Sequence, residues 1–181
     1  MSAPEIPATA RPPPPRVFVP LIHRQTLERA RAQIAGRRRL DPALAAQHVA
    51  PPYHALNLLK VIWALLGFGP AQLGDAAAER AERRAFSWAA ARATFSDAFV
   101  QQLVAYDPER DDGPGAEERK PPAQRVERLK VVLETMLERE VTDLGPAFTP
   151  LLAWARAAVA IRDTCLEQRE RARLLMAQGL L

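Results

Sequence analysis

Apolar side chains recur at intervals of three and four residues along most of the chain, and this spacing restricts its fold more than any other feature. The clearest segment begins at the pair Pro51 and Pro52 and ends at Gly67, residues that favour the start and the end of a helix. The apolar residues between them share one face: Ala55, Leu58, Leu59, Ile62, Leu65 and Leu66. The spacing predicts a helix that packs in a core.

The same spacing predicts further helices on both sides of this one. They are expected at residues 21–36, 41–48, 86–104, 124–139 and 149–179. Ser96 with Asp97 supplies an internal cap, and Thr149 is the expected N-cap of the last helix. Because no segment alternates apolar and polar residues as a strand does, the sequence predicts an all-α fold, a small helical bundle of about six or seven helices.

The first 20 residues differ from the rest in composition. They hold seven of the 17 prolines, which remove amide donors and favour an extended backbone. We therefore expect an extended Pro- and Arg-rich arm over residues 1–20 and one helical domain over residues 21–181. Residues 1–40 carry a net charge of +6 and the remainder −2. No run of about 18 apolar residues occurs, so we expect a cytoplasmic chain with no membrane partner.

Motifs that carry chemistry are missing from the sequence. No lysine follows a glycine as a phosphate-binding loop requires, and neither a Gly-x-Ser-x-Gly turn nor a His-Glu-x-x-His pair occurs. The single cysteine, Cys165, lies on an apolar stripe and is expected to be a packed thiol. Four residues fit positions of a calcium loop, Asp107, Glu109, Asp111 and Glu118, but Asp112 stands where such a loop needs glycine. We expect a solvated acidic loop and a chain that is not an enzyme and holds no cofactor or metal.

Basic residues cluster near the start of the chain. The run comprises Arg24, Arg29, Arg31, Arg37, Arg38 and Arg39, and no aromatic residue interleaves with it. A nucleic-acid partner is therefore the less favoured reading, and an anionic protein surface attracts such a run equally well. Near the other end, Arg162, Arg169, Arg171 and Arg173 alternate with Glu167 and Glu170, which is typical of a solvated helix face.

Four pieces of the sequence follow each other in an order that is informative. They are Leu40-Asp41-Pro42, then Pro51-Pro52 with the apolar run from Ile62 to Gly67, then Trp88 with Ser96, Asp97, Phe99, Tyr106 and Asp107, and finally Trp154-Ala155-Arg156-Ala157. In this order and spacing the chain resembles, over about residues 22–175, the microtubule-binding domain at the tip of the dynein heavy-chain stalk. The resemblance implies a small all-α bundle carried between two antiparallel helices, here residues 21–39 and 155–181.

The chain departs from the family in three ways. The incoming helix has about 15 residues, roughly 22 Å, so we expect a stand-alone module without a motor. Leu56 stands where the family has a lysine facing tubulin, and Asp143 stands where it has a basic residue. Leu56 loses one cation and Asp143 inverts the charge of another, and both changes are expected to weaken docking to acidic tubulin because like charges repel across an interface.

The resemblance implies a structural docking protein of the ciliary or flagellar axoneme within the cytoskeleton. Its expected partners are tubulin in microtubules or neighbouring axonemal proteins, within a large assembly. The candidate partner-contact residues are Arg24, Arg37, Arg38, Arg39, Tyr53, His54, Lys60, Arg125, Arg128 and Lys130. Two alternatives stay open, an adaptor that has lost tubulin binding and joins other axonemal subunits, and a nucleic-acid-binding protein that uses the arginine-rich arm.

Overall fold

The structure is a computed structural model that describes residues 18–36, 53–67, 96–109, 123–142, 145 and 147–179, with the backbone alone for residues 53, 123–125 and 142. These residues form six helices and no strand, which confirms the all-α prediction. The helices are α1 (Leu21–Ala35), α2 (Tyr53–Leu65), α3 (Asp97–Ala105), α4 (Ala123–Glu134), α5 (Glu138–Thr142) and α6 (Phe148–Ala177).

Helix α6 is the centre of the bundle. Its 30 residues span about 45 Å, and α1, α2, α4 and α5 pack against it. The inner half of α6 is almost wholly buried, with Leu151, Trp154 and Ile161 no more than 1% exposed. Helix α2 contributes Leu58, Leu59, Ile62 and Trp63 to the same core. Burial of this one continuous apolar cluster is the main favourable term in the folding of the bundle.

Helices α1 and α6 run antiparallel. At the start of α1 the backbone of Phe18 is hydrogen-bonded to Gln168. Thirteen residues later Arg31 reaches the carbonyl oxygen of Tyr106, whose ring packs on Trp154. Since the contacts move backwards along α6 as α1 advances, the two helices have opposite directions, as expected for the pair.

Helix α4 also runs antiparallel to α6, on another side. Lys130 is paired with Asp163, while Arg156, two turns earlier on α6, reaches the carbonyl oxygens of Leu133 in the last turn of α4 and of Met136 two residues after the helix. The predicted single helix over residues 124–139 is wrong in this detail, because the chain turns between α4 and α5. Arg156 satisfies carbonyl groups that the end of α4 leaves without a helical partner.

Other expectations need correction at the helix ends. The N-cap of α6 is Ala147 without a side-chain bond, so Thr149 lies inside the helix. Leu21, Ile22 and Leu174 belong to predicted apolar faces but are more than half exposed, because α1 buries only Leu27, Ala30 and Ile34 and the last turns of α6 extend beyond the bundle. Ser96 caps α3 as expected, with its hydroxyl oxygen accepting from the Phe99 amide at 3.3 Å.

Several expectations lie outside the described residues. These are the arm before Phe18, the helix at 41–48, the segment around Trp88, the acidic loop after Glu109, and Asp143. The end of α2 is described, and Gly67 follows it with a φ of 80°, a backbone conformation that glycine adopts without a steric cost.

Candidate functional site

The end of α3 holds α1 and α6 together. We call residues 106–109 the α3 clasp. Tyr106 leaves the helix in an extended conformation, and the Asp107 carboxylate accepts a hydrogen bond from the Glu109 amide at 3.0 Å. Such a local bond from an aspartate to the backbone two residues on stabilises a turn and fixes the direction in which Glu109 points.

The clasp binds α1 through two arginines that lie two turns apart. Nε and Nη2 of Arg24 donate to the two carboxylate oxygens of Glu109, each at 2.7 Å. Arg31 donates through Nη2 to the carbonyl oxygen of Tyr106 and through Nη1 to Glu28 at 2.5 Å. The hydrogen bond and the negative charge of Glu109 raise the pKa of Arg24. These contacts border an open pocket of about 510 Å³ between α1 and the clasp, with both charged and apolar residues in its lining.

The clasp meets α6 through aromatic packing. The ring centroids of Tyr106 and Trp154 are 5.4 Å apart, and the two ring planes are inclined to each other by 54°. Aromatic pairs favour such an inclined arrangement. The indole Nε1 of Trp154 donates to the carbonyl oxygen of Leu103 at 3.0 Å. Burial raises the pKa of Tyr106 to about 12, although the positive charge of Arg162 opposes the rise. The phenol is therefore neutral at physiological pH.

Arg162 is buried among apolar residues of α6. Only 4% of its surface is exposed, so the prediction of a solvated face is wrong at this position. Its Nε and Nη1 atoms make no hydrogen bond. One turn further on, Cys165 is buried as expected for a packed thiol, and this burial raises its pKa.

A second concave surface lies over the opposite side of α6. It is a groove of about 600 Å³ lined by α1, α4 and α6, and Ala157 and Ala160 belong to its lining. Lys130 of α4 and Asp163 of α6 are paired in it at 3.0 Å, and His23 of α1 also lines it. The hydrogen bond and charge of Asp163 raise the pKa of Lys130.

The entry of the chain into α1 is held by a single side-chain amide. Gln168 accepts from the amide of Phe18 at 2.8 Å and donates to the carbonyl oxygen of the same residue at 2.5 Å. The next residue, Val19, is 4% exposed. The backbone of Phe18 is therefore fixed against the outer part of α6.

The predicted contact residues fall in different parts of the described structure. Arg24 is paired with Glu109 of the clasp, and Lys130 is paired with Asp163 of α6. His54 starts α2 and lies 3.5 Å from the Glu140 carboxylate. Lys60 is half-buried on α2, and Arg128 is exposed on α4. Arg37, Arg38 and Arg39, and the side chains of Tyr53 and Arg125, are outside the described residues.

Sequence reasoning missed the partners of these cations. Glu109 was assigned to a solvated acidic loop, yet it is the anion that holds Arg24. Gln168 carried no signal, and Arg156 was noted only as part of the Trp154-Ala155-Arg156-Ala157 piece, because the partners of both side chains are far away in sequence. Arg162 did carry one, since it lies two turns after Trp154 and just before the buried Cys165 on the same helix.

The described side chains define contacts between helices more clearly than they define a reaction centre. Within the described ranges, no three histidine, cysteine, aspartate or glutamate side chains converge as metal ligands would. Of the six helices that the structure describes, none is both long enough and apolar enough to cross a membrane. Comparisons with protein-family models, curated proteins and solved structures find no match for this chain.

Proposed function

We propose that this chain is a non-catalytic docking protein of the ciliary or flagellar axoneme. Its helical bundle would bind microtubules or a neighbouring axonemal protein within a large assembly. The observation that carries the proposal is the meeting of residues from separate parts of the dynein-stalk-tip pattern. Ser96 caps the helix that ends at Tyr106, and Tyr106 packs on Trp154 of the return helix. Their contact supports the view that the shared order of motifs reflects a shared arrangement.

The antiparallel pairing of α1 and α6 adds support. In the family the bundle is carried on two antiparallel helices, and here the pair is joined by the Gln168 bonds at one end and by the α3 clasp further along. Such a pair presents the bundle as a rigid unit. A rigid surface binds with less loss of conformational entropy than a mobile one.

Helices α4 and α5 offer the docking surface that fits best. Val131 and Leu137 are 51% and 57% exposed, and Arg128 and Arg139 are exposed beside them. Apolar side chains next to arginines are typical of protein interfaces, and the arginines favour an acidic partner. We propose that these residues, rather than Arg24, contact the partner, because Arg24 is already engaged with Glu109.

The adaptor alternative is favoured by a specific observation. Lys130 and Arg24 are both tied to carboxylates of the chain itself, while Leu56 replaces a cation of the family pattern. A bundle with fewer available cations is attracted less strongly to acidic tubulin. In that case the same α4–α5 surface would bind another axonemal subunit.

Co-sedimentation of the full chain with polymerised microtubules, across a series of salt concentrations, tests the proposal. We expect the chain to pellet at low salt, Arg128→Glu to bind at least several-fold more weakly, and Arg173→Glu to bind like the wild type. Arg173 is the matched control because it is 72% exposed on the part of α6 beyond the bundle. Equal loss in both variants would point to non-specific attraction.

Binding by an axonemal extract without microtubule binding would favour the adaptor. The same Arg128→Glu variant then has to lose its association with the extracted subunit. Binding that persists unchanged in this variant, to either partner, would contradict the assignment of the α4–α5 surface.

A further inference from the structure

The break between α4 and α5 is not explained by the local sequence. No glycine or proline occurs over residues 123–142. The residues at the break include Met136, Leu137 and Glu138, which belong to types with high helix propensity. Helix α4 nevertheless ends at Glu134, and α5 begins at Glu138. The cause of the break therefore lies in contacts with more distant parts of the chain.

Arg156 of α6 occupies the acceptors that a continued helix would use. In such a helix the Leu133 carbonyl oxygen would accept from the Leu137 amide, four residues on. The Met136 carbonyl oxygen would likewise accept from the Glu140 amide. Here Nη2 of Arg156 donates to both oxygens, at 3.4 Å to Leu133 and at 2.6 Å to Met136. Because bonds from a charged donor are stronger than those between neutral groups, Arg156 satisfies the two carbonyl groups without a further helical turn.

The amide of Leu137 is held by a second contact. It donates to Oε2 of Glu140 at 3.3 Å. The same carboxylate oxygen lies 3.5 Å from Nε2 of His54 on α2. The Leu133 carbonyl oxygen accepts from the Met136 amide at 3.3 Å, which closes a tighter turn than that of an α-helix. The two groups that would join α4 to α5 therefore have other partners.

The break changes which side chain faces the core. Leu137 follows Val126 by eleven residues and Leu133 by four, so a continued helix would place these three side chains on one face. Val126 and Leu133 are 0% and 3% exposed. Leu137, however, is 57% exposed, while its neighbour Met136 is only 2% exposed. The break thus turns Leu137 out of the core and onto the α4–α5 surface.

We propose that Arg156 is a positioning residue for this surface. Its guanidinium maintains the break, and the break presents Leu137 to solvent. Without these hydrogen bonds α4 continues beyond Glu134, as the local sequence favours, and Leu137 turns towards the buried face that holds Leu133. The use of an exposed Leu137 by a partner rests on the proposed function, whereas the control of Leu137 by Arg156 does not.

The accessibility of a thiol at position 137 tests this control in the full chain, without any partner. Leu137→Cys is combined with the native Arg156, with Arg156→Met or with Arg156→Lys, and the reaction with a maleimide is followed at neutral pH. Methionine keeps the length of the side chain but has no donor, whereas lysine still donates hydrogen bonds. We expect rapid labelling with arginine and lysine, and labelling at least about ten-fold slower with methionine.

Three controls keep the measurement decisive. Val131→Cys, at a position that is 51% exposed on α4, should label at one rate in all three backgrounds. The native Cys165 is buried and should stay unlabelled, which shows that each variant is folded. Glu140→Ala removes the acceptor of the Leu137 amide from a partly exposed side chain and should also slow the labelling of Leu137→Cys.

The proposal is overturned if Leu137→Cys labels equally fast with Arg156 and with Arg156→Met while Cys165 stays protected. If Cys165 becomes reactive in Arg156→Met, the Glu140→Ala variant decides, and unchanged labelling there overturns the proposal.

Co-sedimentation of Arg156→Met with microtubules separates this inference from the proposed function. Slower labelling together with weaker binding supports both. Slower labelling with unchanged binding supports the control of Leu137 by Arg156 and contradicts only the place of Leu137 in the docking surface.

Discussion

The indole Nε1 of Trp154 donates to the carbonyl oxygen of Leu103 at 3.0 Å, and both residues are fully buried. Leu103 is among the last four residues of α3, whose carbonyl groups have no helical partner. A side chain of α6 therefore satisfies the end of a helix that lies some 50 residues earlier in the sequence. This bond and the Tyr106 packing connect the two elements that form the centre of the candidate site.

Replacing Trp154 with phenylalanine should destabilise the protein by about 2–4 kcal/mol. The change leaves the buried Leu103 carbonyl without its donor, which costs about 1–3 kcal/mol, and adds a small cavity. Urea unfolding measures the loss. Val131→Ala at an exposed position is the control and should stay within about 0.5 kcal/mol of the wild type. A Trp154→Phe variant as stable as this control would show that the bond contributes nothing.

Tyr106 should make the stability fall at high pH. Its pKa is raised by burial from about 10 in the unfolded chain to about 12 in the folded protein. Between these values the unfolded state loses the phenolic proton and the folded state keeps it. The contribution of this phenol to the free energy of unfolding is thus complete below pH 10. It falls by about 1.4 kcal/mol per pH unit as the pH rises from about 10 to about 12.

The phenolate absorbance of a Tyr53→Phe variant measures this titration directly, because the chain has two tyrosines. We expect ionisation well above pH 10 in the folded protein. Titration at the ordinary tyrosine pKa while the protein is still folded would contradict the burial of Tyr106.

Two glycines at helix ends should respond in opposite directions to alanine. Gly67 has a φ of 80°, so Gly67→Ala is expected to cost about 1–2 kcal/mol. Gly36 has a φ of −67°, and an added Cβ would meet the carbonyl oxygens of Ala32 at 3.4 Å and Gln33 at 3.8 Å, which are ordinary van der Waals contacts. Gly36→Ala should therefore stabilise the protein by about 0.4–1 kcal/mol, because alanine lowers the conformational entropy of the unfolded chain. Calorimetry of both variants checks the difference, and a shift in the same direction for both would be inconsistent with these helix ends.

The Arg24–Glu109 pair should couple weakly and in a salt-dependent manner. Both side chains are partly exposed, and Coulombic attraction between exposed charges is screened by salt. A double-mutant cycle with Arg24→Gln and Glu109→Gln should show favourable coupling at low ionic strength that largely disappears in 1 M sodium chloride. Lys130 with Asp163 is a matched pair in the groove. Coupling that is absent at low salt would show that the Arg24–Glu109 pair does not help to hold the clasp on α1.

Local signals predicted the helices well where the controlling residues are close in sequence. The start of α2 was predicted from the pair Pro51 and Pro52, and its end was predicted from Gly67. The start of α3 was predicted from Ser96. A cap or a glycine acts on the backbone within a few residues, so its effect is visible in the sequence.

Contacts between distant residues were not predictable in the same way. The break between α4 and α5 coincides with bonds from Arg156, and Arg24 finds its carboxylate 85 residues away at Glu109. Nothing in the local pattern around either arginine specifies these partners. Arg162 is an intermediate case. Its position on the apolar face of α6 predicts burial, whereas its charge predicts exposure to solvent.

The most direct test of the docking account is the location of the full chain in a ciliated cell. A tagged chain should be found along the axoneme, stay with the doublet microtubules after detergent removes the ciliary membrane, and be released by high salt. The Arg128→Glu variant should be depleted from this fraction relative to Arg173→Glu. A chain that is absent from cilia, or that leaves entirely with the detergent-soluble fraction, would contradict the account.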